Sequence, residues 1–127
     1  TAVDKAEQEP ELAKAINETG PENLAKIAAK LDAVLIHVST DYVFDGQSDK
    51  PYVETDATNP QSIYGLTKLN GEQAVAKYCA KHLILRTAWV FAENGNNFVK
   101  TMLRLAQSRP ANARAGVAAH PFICRRR

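Results

Sequence analysis

Two short runs constrain this chain more than any other feature in it. Ala33-Val34-Leu35-Ile36-His37-Val38-Ser39 and Leu83-Ile84-Leu85-Arg86-Thr87-Ala88-Trp89-Val90 are nearly continuous in apolar residues and partly β-branched. A half-wet strand alternates apolar and polar residues, whereas a run like these reads as a parallel strand covered on both faces. Parallel neighbours cannot be joined by a tight turn and need a long crossover, usually a helix. Strands at 34–39 and 83–88 are therefore expected side by side, in an α/β fold with helices packed on the sheet.

The flanking segments supply those helices. In residues 9–31, Leu12, Ala15, Ile16, Leu24, Ile27, Ala28 and Leu31 fall near a 3.6-residue period, with a kink expected at Thr19-Gly20-Pro21. Residues 61–81 read as a second helix, with Leu66, Leu69, Ala74, Val75 and Tyr78 as its buried stripe. Residues 45–60 are turn-rich and aperiodic, a long loop of the kind that often carries function. Residues 98–107 read as a short amphipathic helix after the turn at 93–97, with Asn96-Asn97-Phe98 a candidate cap and Phe98, Met102, Leu103 and Leu105 or Ala106 inward.

At 127 residues the chain is one domain or part of one. No apolar run nears the ~20 residues of a membrane span. Its start is neither a signal peptide nor an initiator Met, so it reads as an internal segment. Cys79 and Cys124 lack a disulfide pattern and fit a reducing, cytoplasmic compartment. The net charge of +2 hides a split, since residues 1–108 carry 11 basic and 14 acidic side chains while 109–127 carry five Arg and no acid. The body is mildly acidic, which argues against nucleic-acid binding. The expected organisation is a domain segment at 1–108 and an Ala/Arg-rich tail at 109–127, either foreign to the fold or a native flexible terminus.

One constellation carries chemistry. Thr40 lies just past the first strand, at the carboxyl edge where open α/β sheets bind ligands. Tyr64 and Lys68 are four apart and share a helix face. A phenol is a weak acid at neutral pH, and a nearby ammonium makes it a better one. A hydroxyl such as that of Thr40 can orient a carbonyl oxygen, and the three together suit proton delivery to a ketone while hydride comes from a cofactor. A Tyr-x-x-x-Lys pair alone reads more readily as a surface contact, and the strand-end Thr40 and the long loop between them are what turn the reading toward a site. Trp89 stands open between core packing and ligand stacking. Asp45, Asp49, Glu54 and Asp56 read as solvated loop acids, because Gln47 and Lys50 spoil a calcium loop. His37, His82 and His120 lack metal-ligand spacing; His37 is expected hydrogen-bonded within its strand and His82 at the surface of a helix end. No metal site is expected, and no G-x-S-x-G elbow is present.

TAVDKAE at the start, STDYVFDG after the first strand, P-x-x-x-YGLTKLNGE and ILRTAWVF together resemble the extended short-chain dehydrogenase/reductases, specifically the dTDP-4-dehydrorhamnose reductase family. The likeness runs from Thr1 to about Gln107. It implies a Rossmann-like, doubly wound parallel sheet and NAD(P)H-dependent reduction of dTDP-4-dehydro-L-rhamnose to dTDP-L-rhamnose, for cell-surface polysaccharide, in a cytoplasmic enzyme that is a homodimer when complete. Tyr64 would be the proton donor, Lys68 would hold the nicotinamide ribose and tune Tyr64, and Thr40 would bond the carbonyl. Thr40 and Asp41 would touch the sugar, Trp89 would pack on the nucleotide-sugar, and Thr1 and Val38 would line the NADPH or NADH site. The family's amino-terminal glycine loop for the pyrophosphate has no counterpart here. A partial sheet lacking that unit is expected, and with it weak cofactor binding by the chain alone. A non-catalytic binding subunit on the same fold and an inactive truncated product are the alternatives.

Overall fold

The computed structural model describes residues 3–95 and 97–108. The chain divides into two compact units, Thr1–Thr87 and Ala88–Arg127. The proposed tail at 109–127, with Cys124 and His120, lies outside the described residues, as does Thr1.

The first unit opens on a helical run in four pieces. These are α1 (Val3–Gln8), α2 (Pro10–Lys14), a π-helical turn (Ala15–Thr19) and α3 (Gly20–Lys30). Both prolines stand in a first turn, where a missing N–H costs least. The interruption starts at Ala15, earlier than the expected kink, because a proline disturbs the turn before it. Pro21 has no N–H to offer the Asn17 carbonyl, and the backbone widens to a π turn in which Gly20 N bonds Ala15 O.

The buried face of this run differs from the expected one. Ala6, Ala13, Asn17, Pro21 and Ala25 are buried, while Leu12, Ile16, Leu24, Ile27 and Leu31 are exposed, Leu31 by 72%. The reason is close helix–helix approach. The freed Asn17 carbonyl meets the next helix at Gly71, where a Cβ would lie 2.1 Å from its oxygen. Only small side chains fit so near an interface, and the large ones turn away.

Strands β1 (Leu35–Thr40) and β2 (His82–Thr87) pair in parallel, from Leu35↔His82 to Thr40↔Thr87. The expected adjacency holds, with bounds moved by about one residue. Helix α4 (Ile63–Tyr78) lies between them in sequence and packs on one face, where Leu35 and Ile84 meet Ala25, Val75 and Cys79. The expectation of cover on both faces is met on one. Among the described residues Ile36, Val38, Leu83 and Leu85 stay exposed, Ile36 by 60%. The stripe expected on α4 is also revised, since Leu66 is exposed and Tyr64, Thr67, Gly71 and Glu72 are buried with Val75. This architecture is α/β and Rossmann-like, with parallel strands joined by a helical crossover.

A short 3-10 turn (Asp41–Val43) follows β1 and leads into the long loop. The loop is ordered by its own side chains. Phe44 and Tyr52 stack at 4.4 Å, Tyr52 Oη donates to Asp45 Oδ1, and Asn59 N donates to Val43 O. In the second unit α5 (Phe98–Ser108) is capped by Asn97, whose Oδ1 accepts from Lys100 N at 3.1 Å. Phe98, expected inward, is half-exposed and meets the Trp89 ring at 4.5 Å; Met102 is partly buried, while Leu103, Leu105 and Ala106, also candidates for the inward face, are exposed. Among the described residues no helix is long and apolar enough to cross a membrane.

Candidate active site

Thr40 ends β1 in extended backbone and caps the turn that follows. Its hydroxyl accepts from Tyr42 N at 3.2 Å and donates to Asp41 Oδ1 at 3.1 Å. That turn sits directly on the start of α4. A Cβ on Gly65 would lie 2.3 Å from Tyr42 O, so the approach requires glycine at this position. The Tyr42 and Tyr64 rings meet edge to face, 5.6 Å apart. Tyr42 thus touches Thr40 through its N–H and Tyr64 through its ring.

Helix α4 begins at Ser62, whose Oγ accepts from Gly65 N at 3.1 Å. Glu7 of α1 accepts from Ile63 N at 2.7 Å, placing a carboxylate where the helix dipole favours it. Tyr64, one residue further, is buried with Ala6 and Ala13. Behind it Thr67 donates to the Ile63 and Tyr64 carbonyls and accepts from Asn17 Nδ2 at 3.1 Å. The amide of Asn17 is buried with the Thr67 hydroxyl it satisfies, so the π turn and α4 are joined by polar as well as packing contacts.

One turn on from Tyr64, Lys68 reaches back to the sheet, and its Nζ donates to Val38 O at 2.7 Å. Burial pulls the ammonium below its ordinary pKa, and the Glu72 carboxylate opposes that fall. His37, on the same face of β1, is also lowered, first by burial and then by the Lys68 charge, with Glu72 again opposing. Glu72 is buried and clamped by Arg86 of β2, with contacts of 3.0 and 3.2 Å from Nε and 2.6 Å from Nη2. The Arg86 guanidinium also lies 5.0 Å from the Phe44 ring centre, which ties the clamp to the long loop.

Val38, Thr40, Asp41, Tyr64 and Lys68 therefore gather where the carboxyl end of β1 meets the first turns of α4. The surface-pair reading of Tyr64 and Lys68 does not fit a buried phenol and a half-buried lysine bonded to the sheet. Trp89 belongs to the second unit and has a left-handed backbone, φ +51°. His37 departs from expectation, since its Nε2 is buried without a hydrogen-bond partner, as is Ser39 Oγ. His82 starts a strand rather than ending a helix, and its Nδ1 lies 2.6 Å from Cys79 O. Sequence reasoning missed Asn17, Thr67, Glu72 and Arg86. Signals pointed to two of them: Glu72 stands four residues after Lys68, one turn further along the helix, and Arg86 is the lone Lys, Arg, Asp or Glu in β2, which a sheet interior must pair.

The chain resembles known proteins over most of its length. Residues 1–114 match the family described as RmlD substrate binding domain. The chain is 62% identical over 109 residues to the dTDP-4-dehydrorhamnose reductase of Escherichia coli K12, covering 86% of this chain and 36% of that protein. The crystal structure of a dTDP-4-dehydrorhamnose reductase from Clostridium acetobutylicum superposes with a TM-score of 0.82 at 51% identity, over 85% of this chain and 38% of that one. That of the Bacillus anthracis reductase in complex with NADP gives 0.82 at 44% identity, over 87% and 39%. The chain spans about a third of the length of the curated relatives it matches.

Proposed function

The chain belongs to the RmlD substrate binding domain family, and from that premise we propose that it carries the proton-transfer centre of a nucleotide-sugar ketone reductase. The substrate is dTDP-4-dehydro-L-rhamnose and the product dTDP-L-rhamnose. The observation that carries this reading is the bond from Lys68 Nζ to Val38 O, which fixes the Tyr-x-x-x-Lys turn against the strand that ends in Thr40. A half-buried ammonium beside a backbone carbonyl offers the donor and acceptor that a ribose diol needs. The residues therefore fit a nicotinamide nucleotide, NADPH or NADH, and the NADP complex of the B. anthracis relative supports the former. When bound, the nucleotide supplies hydride.

The chain's own residues handle the proton. Tyr64 donates from its phenol to the C4 carbonyl oxygen of the sugar. Lys68 holds the ribose and stabilises the phenolate that Tyr64 leaves behind. Thr40, its hydroxyl now on Asp41, turns to the same carbonyl oxygen, and Asp41 holds a sugar hydroxyl. Trp89 packs on the nucleotide-sugar, while Val38 and Thr1 line the cofactor. The setting is the cytoplasm and the partner a small molecule rather than a membrane or nucleic acid; the complete enzyme is a homodimer.

The test is a chimera in which residues 1–108 replace the matching segment of the E. coli reductase. Tyr64→Phe should lower its turnover by about 10²–10⁴-fold with little change in cofactor affinity, as loss of a general acid does. Turnover above half that of the parent chimera, with chemistry rate-limiting, would remove Tyr64 from this role. An inactive parent chimera that still binds nucleotide-sugar would favour a binding subunit instead.

A further inference from the structure

The clamped carboxylate of Glu72 plays no part in the mechanism above, yet few acids are so deeply buried or so firmly held. It lies one helical turn beyond Lys68, two beyond Tyr64, on the face of α4 that meets the sheet. Both of its oxygens are engaged by Arg86, so it cannot swing toward solvent. We propose that Glu72 and Arg86 are positioning residues for catalysis, a fixed carboxylate and its clamp that hold a negative charge one helical turn from Lys68, whose Nζ rests on the Val38 carbonyl. This rests on the reading of Lys68 given above.

The surroundings leave this task to Glu72. Lys68 is half-buried, and burial favours its neutral form. From β1 it faces His37, whose unpartnered Nε2 brings no negative charge. From β2 comes the Arg86 cation and from the turn after β1 come Tyr42 and Asp41, the latter bonded to Thr40. On the remaining elements that pack on α4, Glu7 is bonded to Ile63 N, Glu18 to Asn70 and Glu22 to Lys26; Glu11 and Lys14 of α2 are exposed. Arg86 serves as the anchor because its fork grips both oxygens at once, which a lysine cannot do. Without it the carboxylate would be buried unpaired and would protonate or turn away.

The same chimera tests this. Glu72→Gln keeps the shape and removes the charge, and the double variant Glu72→Gln/Arg86→Gln restores a neutral amide pair should the single variant fail to fold. The alkaline limb of kcat/KM should move down by about one pH unit in Glu72→Gln, the order by which loss of a neighbouring opposite charge shifts a pKa, and by less in the double variant, which also removes the Arg86 cation. Glu72→Asp keeps the charge and should keep the limb. A second readout is independent of activity: the NMR titration of His37 should fall to lower pH in Glu72→Gln, since the same carboxylate favours the imidazolium. A folded variant with an unmoved limb and an unmoved His37 overturns the proposal, as does a limb that moves equally in Glu72→Asp. Lys68→Met with near-normal turnover would instead sink the reading of Lys68 itself, and that result is separable because it does not involve Glu72.

Discussion

The two faces of the small sheet are built from alternate residues of the same strands and share almost nothing else. On the face toward α4 stand His37, Ser39 and Arg86 beside Leu35 and Ile84, in contact with a helix that carries Tyr64, Lys68 and Glu72. On the other stand Ile36, Val38, Leu83 and Leu85, apolar and exposed. The helix-covered face carries polar groups among its apolar ones, and the uncovered face is apolar, in a chain that spans about a third of the length of its relatives. Charged groups act most strongly where water is excluded and need a partner there; on this side Glu72 and Arg86 hold one another, while His37 Nε2 and Ser39 Oγ have no hydrogen-bond partner. The apolar face makes no such demand and offers only area, which favours association.

The largest effect expected from breaking this contrast comes from the clamp. Arg86→Met leaves Glu72 buried without its cation and should destabilise the chain by about 3–5 kcal/mol in urea unfolding, the usual cost of breaking a buried pair. A loss below about 1 kcal/mol, the range of exposed pairs, would show that the pair behaves as a surface contact. A smaller effect lies in pH. His37 is lowered in the folded state, so the unfolded chain binds the extra proton first. Stability should be level above the unfolded value near ~6.5 and fall as pH drops below it. His37→Gln should flatten that part of the profile, measured as urea midpoint against pH; an unchanged slope would place the proton elsewhere. The smallest effect belongs to the other face. Ile36→Thr with Leu83→Thr should change the stability of this chain by no more than about 0.5 kcal/mol per site and reduce its self-association in sedimentation. A cost of about 2 kcal/mol or more per site would mean that this face is covered in solution.

The strands, the long helix and the residues gathered at the carboxyl end of β1 were legible because each has a local signal. Val34–Ser39 and Leu83–Thr87 are short and apolar, Ser62 caps a helix, and Tyr64 with Lys68 repeats at one turn. The buried face of the first helical run was not legible. Its periodicity was carried by Leu12, Ile16, Leu24, Ile27 and Leu31, which are large and therefore conspicuous, yet the contact was made by Ala13, Asn17, Pro21 and Ala25. Small residues carry little hydrophobic signal even where they set how closely two helices approach. His37 shows the same limit for polar groups, since a strand histidine has no local mark that says whether a partner is within reach.

By itself the sequence determined the order and type of the main elements, the parallel pairing and the spacing of Tyr64 and Lys68. All of these follow from backbone periodicity and steric preference within a few residues. Only the tertiary structure decided that Glu72 meets Arg86 across 14 residues, that Asn17 satisfies Thr67 across 50, and that Lys68 ends on the Val38 carbonyl across 30. Those choices depend on where one element's unsatisfied groups fall against another's once both are packed. The physical reason is that a buried donor or charge takes the partner the packing brings to it, and sequence distance does not enter that selection.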